Sequence, residues 1–275
     1  MSSFEKTTAP TEMETAALVQ PQYRLTGELT FAQKQIPTSK LPRRLLAMLM
    51  ITCKDGVRLS TLVDELWPET PPKTAKGTVQ TYIFKLRKAL DPQRRLIIAM
   101  PGQGYRLAIR PDEVDVLSFI EAAKDLTIRA DDDEQKLRRT VEGLQACLGL
   151  LRGPVLQDVS PGPHLERFTA LFNEWRFTAV LRYVKAKVML GEHGDVEPLL
   201  LSLMHESELN EEVVMWRMLA LYRSGQPQQA LDTFYRLQKR LREGLGIDPD
   251  PRLTRLLQMI LQRNTCLQDD VSYLF

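Results

Sequence analysis

Apolar residues recur along this chain first at intervals of two and then at intervals of three and four. Leu25, Leu29, Phe31 and Ile36 fall in short alternating stretches broken by Gly27 and Pro37, which predicts a minor antiparallel sheet. Three helical segments follow. "LPRRLLAMLMITCKDG" places Leu41, Leu45, Met48 or Leu49, and Thr52 at helical spacing, with Pro42 in a first turn and Gly56 as a stop. "LSTLVDELWPE" offers Ser60 as an N-cap and sets Leu62, Val63, Leu66 and Trp67 on one face before Pro68 ends it. In "KTAKGTVQTYIFKLRKAL", Lys73 to Leu90, the residues Val79, Tyr82, Ile83, Leu86 and Leu90 share one apolar sector of a helical wheel. Thr74, Gly77, Thr81, Lys85 and Lys88 lie opposite, Lys73, Gln80 and Arg87 flank them, and Phe84 points partly outward.

Two strand-like runs, "LIIAM" and "YRLAI", come next, and the "PGQG" between them supplies glycines suited to a turn with positive φ. Two helices joined by the short "ETPPKT", the second basic on its free face, and then a hairpin: this order specifies a winged helix-turn-helix domain over residues 22–110. Beyond it no alternation survives. Val114 to Arg129 and Gln135 to Arg152 are helical by pattern, separated by the solvated "ADDDE", and a helix of some seven turns starts near His164. Two helix-Gly-helix units then align at an offset of 31 residues, setting Val188, Gly194, Leu200 and Leu203 against Leu219, Gly225, Leu231 and Phe234. Tetratricopeptide (TPR) repeats have a period near 34, so residues 111–263 are expected to form an all-α, TPR-like domain. The fold class is therefore mainly α. Residues 1–21, polar and without periodicity, are expected to be a disordered arm, and 264–275 a C-terminal tail.

Charge sharpens this division. Of 275 residues, the chain carries a net +2, yet residues 22–110 hold 16 Lys and Arg against 6 Asp and Glu, while 111–275 hold 20 against 26. A basic module precedes an acidic one. A solvated face is the commoner explanation of any single basic run, but the hairpin and the charge of the whole module favour a polyanion partner. Lysines suit phosphate oxygens or guanine edges, glutamine suits adenine, and threonine or an aromatic suits sugar or a thymine methyl.

"TVQTYIFKLRKAL" followed by "GQGYRL" resembles the effector domain of OmpR/PhoB-type winged-helix regulators, in which a helix ending in L-R-K/R-x-L precedes a wing closed by G-Y-R. That resemblance implies that Thr78, Tyr82, Lys85, Arg87 and Lys88 lie at or near DNA, with Lys85 and Arg87 the better candidates for base contact. In that type a basic residue often precedes the first wing glycine; Pro101 stands here instead, so Arg94 and Arg106 are expected at phosphates. The whole DNA-facing candidate set is Lys73, Thr74, Lys76, Thr78, Gln80, Thr81, Tyr82, Lys85, Arg87 and Lys88 on the helix, with Arg94, Gln103, Tyr105 and Arg106 about the wing. "LRGPVL" at 151–156 and "LREGLGIDPDPRLTRLLQMIL" at 241–261 are similar to the bacterial transcriptional activator domain of the Streptomyces antibiotic regulatory protein (SARP) family. In the second stretch Gly244 and Gly246 end one helix, Asp250 caps the next and Pro251 fits its first turn. The resemblance implies a pathway-specific activator that binds tandem direct repeats in double-stranded promoter DNA as a homodimer and recruits RNA polymerase holoenzyme, including its sigma factor.

Enzymatic chemistry finds no foothold. Phosphate-binding, zinc-protease and nucleophile-elbow motifs are absent, and His164, His193 and His205 have neither ligand spacing nor a nucleophile to serve. Cys53, Cys147 and Cys266 lack metal or disulfide spacing, so no cofactor is expected. There is no apolar run of membrane length and no secretory pattern near residue 1, so a cytoplasmic location without membrane contact is expected. The rival reading is a TPR-like adaptor whose basic domain binds an acidic protein or RNA.

Overall fold

The computed structural model describes residues 20–268 except 33, 37, 38 and 103. The expected disordered arm, save its last two residues, the tail beyond 268, and Gln103 lie outside the described residues.

Three two-residue strands, β1 (Tyr23–Arg24), β2 (Thr30–Phe31) and β3 (Lys34–Gln35), form the expected antiparallel sheet in the order β1-β2-β3. α1 (Lys40–Ile51) is buried more widely than its period suggested: Leu46, Ala47 and Met50 join Leu45, Met48 and Leu49 out of solvent. It is the centre about which the first domain is packed. Gly56, at φ +77°, then turns the chain, and its amide bonds the Thr52 carbonyl at 2.7 Å. A strand the pattern did not reveal follows, β4 (Val57–Arg58), and α2 (Leu59–Leu66) starts directly from it. Ser60 is thus inside the helix, not its cap; the N-cap position belongs to Arg58, because pairing with the wing keeps the backbone extended up to that residue.

α3 (Ala75–Leu90) leads into β5 (Ile97–Met100) and β6 (Gly104–Leu107), and the wing sheet has the order β4-β6-β5. A 3-10 turn, Pro111–Glu113, opens the helical half: α4 (Asp115–Lys124), α5 (Glu134–Leu148), α6 (Pro163–Met189), α7 (Glu197–Glu206), α8 (Glu211–Arg223), α9 (Pro227–Leu245) and α10 (Pro251–Leu261). α4 and α5 are shorter than their patterns predicted. Leu126 folds back against Gly143 of α5, and the "LRGPVL" segment leaves the helix to bond the first sheet, through Leu156 N–H to the Leu25 carbonyl at 2.7 Å and Gly27 N–H to the Pro154 carbonyl at 2.9 Å.

The repeat also needs a new register. The glycine with positive φ after α6 is Gly191, not Gly194, and it lies 34 positions before Gly225, its counterpart after α8. The second helices, α7 and α9, begin only 30 positions apart, because the connection before α7 is longer than the one before α9. An offset of 31 was a compromise between these two spacings. At the far end Gly246 alone, at φ +68°, terminates α9, with Gly244 still helical, and the Asp250 carboxylate accepts the Arg252 amide at 2.7 Å to cap α10.

Among the described residues two large cores hold the molecule, with a small third cluster of Leu137 and Val141 on α5 against Ala186 on α6. The first is continuous from Tyr23 to Ala179, taking in both small sheets, α1 to α4, the end of α5 and the leading half of α6; the second joins the trailing half of α6 to α7–α10. Topologically the chain changes character near residue 110, but the apolar packing does not divide there. Buried carboxylates tie the join: Asp115 accepts from the Leu25 and Thr26 amides and the Thr26 hydroxyl, and Glu65 of α2 accepts from the amides of Gly162, His164 and Leu165 at the start of α6.

Candidate nucleic-acid interface

α3 is held by one face and leaves the other free. Val79, Ile83 and Leu86 are buried, with Tyr82 and Leu90 half-buried beside them. Lys73, Thr74, Lys76, Gln80, Thr81, Phe84, Lys85 and Lys88 are exposed, and Thr78 stands at the margin. The hydroxyls of Thr78 and Thr81 donate to the carbonyls of Thr74 (3.1 Å) and Gly77 (3.0 Å). With its proton directed into its own helix, each hydroxyl turns lone pairs outward as an acceptor. Lys85 Nζ sits 5.9 Å from the ring of Tyr82, whose body packs against the core.

Arg87 is placed differently from the other cations. Its guanidinium donates through Nε (3.1 Å) and Nη2 (2.7 Å) to the Ile97 carbonyl at the start of β5, and lies 6.0 Å from the ring of Tyr105. Two of the donors of Arg87, expected among the better base-contact candidates, are committed to joining α3 to the wing. Tyr105, half-buried and packed on the core, belongs to the same join. Asp91 completes it. Buried at the end of α3, its carboxylate accepts from the amides of Arg95 (2.8 Å), Leu96 (2.9 Å) and Ile97 (2.9 Å), which orients the chain as it enters the wing. Arg94, at φ +55°, is exposed on that turn, and Arg106 is exposed on β6 opposite Ile98. Gly104 is required where β6 meets β4, since a Cβ there would lie 2.6 Å from the Val57 carbonyl oxygen.

The structure adds Arg58, exposed on β4 opposite Gly104 and therefore beside the wing. No signal in the sequence identified it, because a two-residue strand has no period to read. Electrostatics sets this surface apart. Among the described residues, Lys73, Lys76, Lys85, Lys88, Arg94 and Arg106 form no ion pair, whereas in the helical half Arg138, Arg176, Lys185, Lys187 and Arg217 each do. Charges left unneutralised and close together add into a field that attracts a polyanion.

Comparison with known proteins agrees with both halves. A model of the transcriptional regulatory protein C-terminal domain matches residues 33–107, and one of the bacterial transcriptional activator domain matches 114–261, more than half of the chain. The regulatory protein DnrI of Streptomyces peucetius is 30% identical over 235 residues, an alignment spanning 82% of this chain and 85% of DnrI. The chain belongs to the Streptomyces antibiotic regulatory protein family of transcriptional activators. This SARP is also 32% identical to the transcriptional regulator RedD of Streptomyces coelicolor over 82% of its own length and 65% of RedD. Among solved structures, that of Mycobacterium tuberculosis EmbR in complex with a low affinity phosphopeptide superposes with a TM-score of 0.77 at 30% identity, covering 89% of the SARP and 65% of the EmbR chain. These relatives are named as regulators, not enzymes. No helix among the SARP's described residues is long and apolar enough to cross a membrane.

Proposed function

We propose that this SARP activates secondary-metabolite genes by binding promoter DNA at tandem direct repeats, with α3 of each protomer in a major groove. The observation that carries the reading is the exposed surface of α3 and the turn before it, where Lys73, Lys76, Lys85 and Lys88, which form no ion pair among the described residues, accompany Gln80 and Thr81. Lys73, Lys76 and Lys88, with Arg94, Arg106 and the newly placed Arg58, meet phosphates; Lys85, Gln80, Thr81 and the marginal Thr78 meet base edges. Tyr82, Arg87 and Tyr105 support the helix and the wing from behind, and Thr74 lies at the entry to α3. Direct repeats require protomers arranged head to tail, since a two-fold dimer selects an inverted site. The helical half, net negative over 111–275, then presents its acidic surface to basic surfaces of RNA polymerase.

Binding to upstream duplexes of neighbouring operons, against scrambled duplexes and over a salt series, tests this. A sequence-specific activator keeps its preference as salt rises, while its affinity falls with a slope set by its phosphate contacts. Lys85→Ala reduces discrimination between bases, and Lys73→Ala lowers affinity for all duplexes alike. Equal binding to specific and scrambled duplexes would sink the reading and favour the adaptor alternative.

A further inference from the structure

On the face that α3 turns outward stands a phenylalanine, Phe84. The buried residues Ala75, Val79, Ile83 and Leu86 fix the inward direction of the helix, and at helical spacing Gly77, Thr81, Phe84 and Lys88 fall within about 40° of its opposite. Phe84 is 56% exposed. A single exposed apolar side chain needs no explanation on its own. Two facts set this one apart. Its cationic neighbours, Lys85 and Lys88, form no ion pair among the described residues, so any apolar protein partner would have to bury uncompensated charge beside it. A polyanion neutralises those charges instead. The second fact is Gly77, two turns from Phe84 on the same stripe. Gly77 lies in the first turn of α3 at a negative φ open to any residue, and a Cβ there would meet nothing within 4 Å. The protein's own packing does not call for a glycine there.

We infer that Phe84 is a specificity-determining residue that reads thymine through its C5-methyl group, and that Gly77 lets the backbone of α3 approach the duplex closely enough for that contact. The inference rests on the DNA-binding reading above. In the major groove thymine alone among the bases presents a methyl group, and its contact with an apolar side chain distinguishes T·A from the other pairs. Gly77 and Phe84 are separated along the helix by about 10 Å, or roughly three base-pair steps of about 3.4 Å. One groove crossing therefore accommodates both. Lys85 and Gln80 read polar edges beside them.

Selection from randomised duplex libraries, one synthesised with thymine and one with uracil in its place, tests the inference without a known operator. Wild-type protein enriches a thymine at one position per half-site from the first library. It loses that preference, by roughly fourfold for one buried methyl, when uracil replaces thymine. Phe84→Ala shows the weakened preference at that position in both libraries and keeps the preferences at the other positions. Gly77→Ala leaves the thermal midpoint unchanged or higher and lowers affinity for the selected duplex. Identical position preferences in wild type and Phe84→Ala, or a loss of affinity that is equal for thymine and uracil duplexes, would overturn the assignment. Failure of the wild type to enrich any sequence would overturn the DNA-binding reading itself, and that result appears before any variant is made.

Discussion

Glu65 is the residue on which the junction between the two halves can be tested most directly. It is fully buried on α2, and its carboxylate faces the start of α6, accepting from Gly162 N–H at 2.7 Å, His164 N–H at 2.8 Å and Leu165 N–H at 3.3 Å. An N-terminus of 27 helical residues, whose first amides lack intrahelical partners, is thereby capped by a carboxyl group of α2. Glu65→Ala leaves two well-made bonds and one long one without an acceptor. At about 1–3 kcal/mol for each buried donor left unsatisfied, and with the Leu165 contact contributing least, the expected loss is roughly 3–5 kcal/mol. Glu65→Gln retains one acceptor oxygen but points an amide NH2 at an N–H, and is expected to cost about 2–3 kcal/mol. Gly162 admits no side chain, because its Cβ would run into the Glu65 backbone carbonyl. Urea denaturation gives the magnitude, and hydrogen exchange gives the location. Because the first core is continuous from Tyr23 to Ala179, protection should fall through the sheets, α1–α5 and the leading half of α6, with α7–α10 little changed. A loss below about 1 kcal/mol, or one shared evenly by both cores, would refute the argument.

Two further outcomes follow from single side chains. Arg87→Lys keeps the charge but cannot place two donors on the Ile97 carbonyl, so affinity should drop by up to about tenfold on every duplex, with base preferences unchanged; a changed preference at one position in a selection experiment would return Arg87 to the base-reading set. Burial pushes the Asp115 carboxyl above its ordinary range, against the opposing pull of the Thr26 hydroxyl and the amides of Leu25, Thr26 and Val116. The native chain therefore holds this proton more tightly than the unfolded chain, and the associated stability is full below the ordinary carboxylate range and lost as pH rises through the raised value. Denaturation of wild type and Asp115→Asn over a pH series checks this: the variant should lack that fall, and equal slopes would contradict it.

Much of the architecture was legible because long amphipathic helices announce themselves. The α3 wheel placed Val79, Ile83 and Leu86 correctly inside, and the two runs around "PGQG" became β5 and β6. What escaped depended on partners distant in sequence. β4 has two residues and exists because Gly104 lets β6 approach it, so neither the strand nor Arg58 had a local signature. The helical pattern ran on past Leu148, but Leu150, Pro154 and Leu156 are held by the N-terminal sheet more than a hundred residues away. Arg87 showed why a wheel finds faces but not roles: its marginal angle is the one that reaches the wing. The repeat offset failed for a simpler reason, since one average spacing cannot describe two helices joined by connections of unequal length.

The shared core also constrains how the activator presents itself on DNA. Had the chain divided at residue 110 into two bodies on a linker, the acidic half could take many orientations over a bound repeat. Instead Asp115 grips the Leu25–Thr26 backbone, Glu65 caps α6, Arg43 pairs with Asp158, and Arg24 donates to the Leu150 carbonyl at 3.0 Å. These contacts come from β1 and the two residues after it, from α1 and from α2, and leave the outward face of α3 clear. On the proposed function, the direction in which α3 enters a groove therefore also sets the direction of α6, and with it the helices stacked on α6. On the proposed direct repeats, successive protomers are related by translation and a rotation along the duplex. Their acidic halves then repeat with the spacing of the sites, so a repeat spacing near a whole number of helical turns brings those halves onto one side of the promoter. Weakening the junction, as Glu65→Ala does, should uncouple the two, leaving binding to a single site less affected than the dependence of activation on repeat phasing.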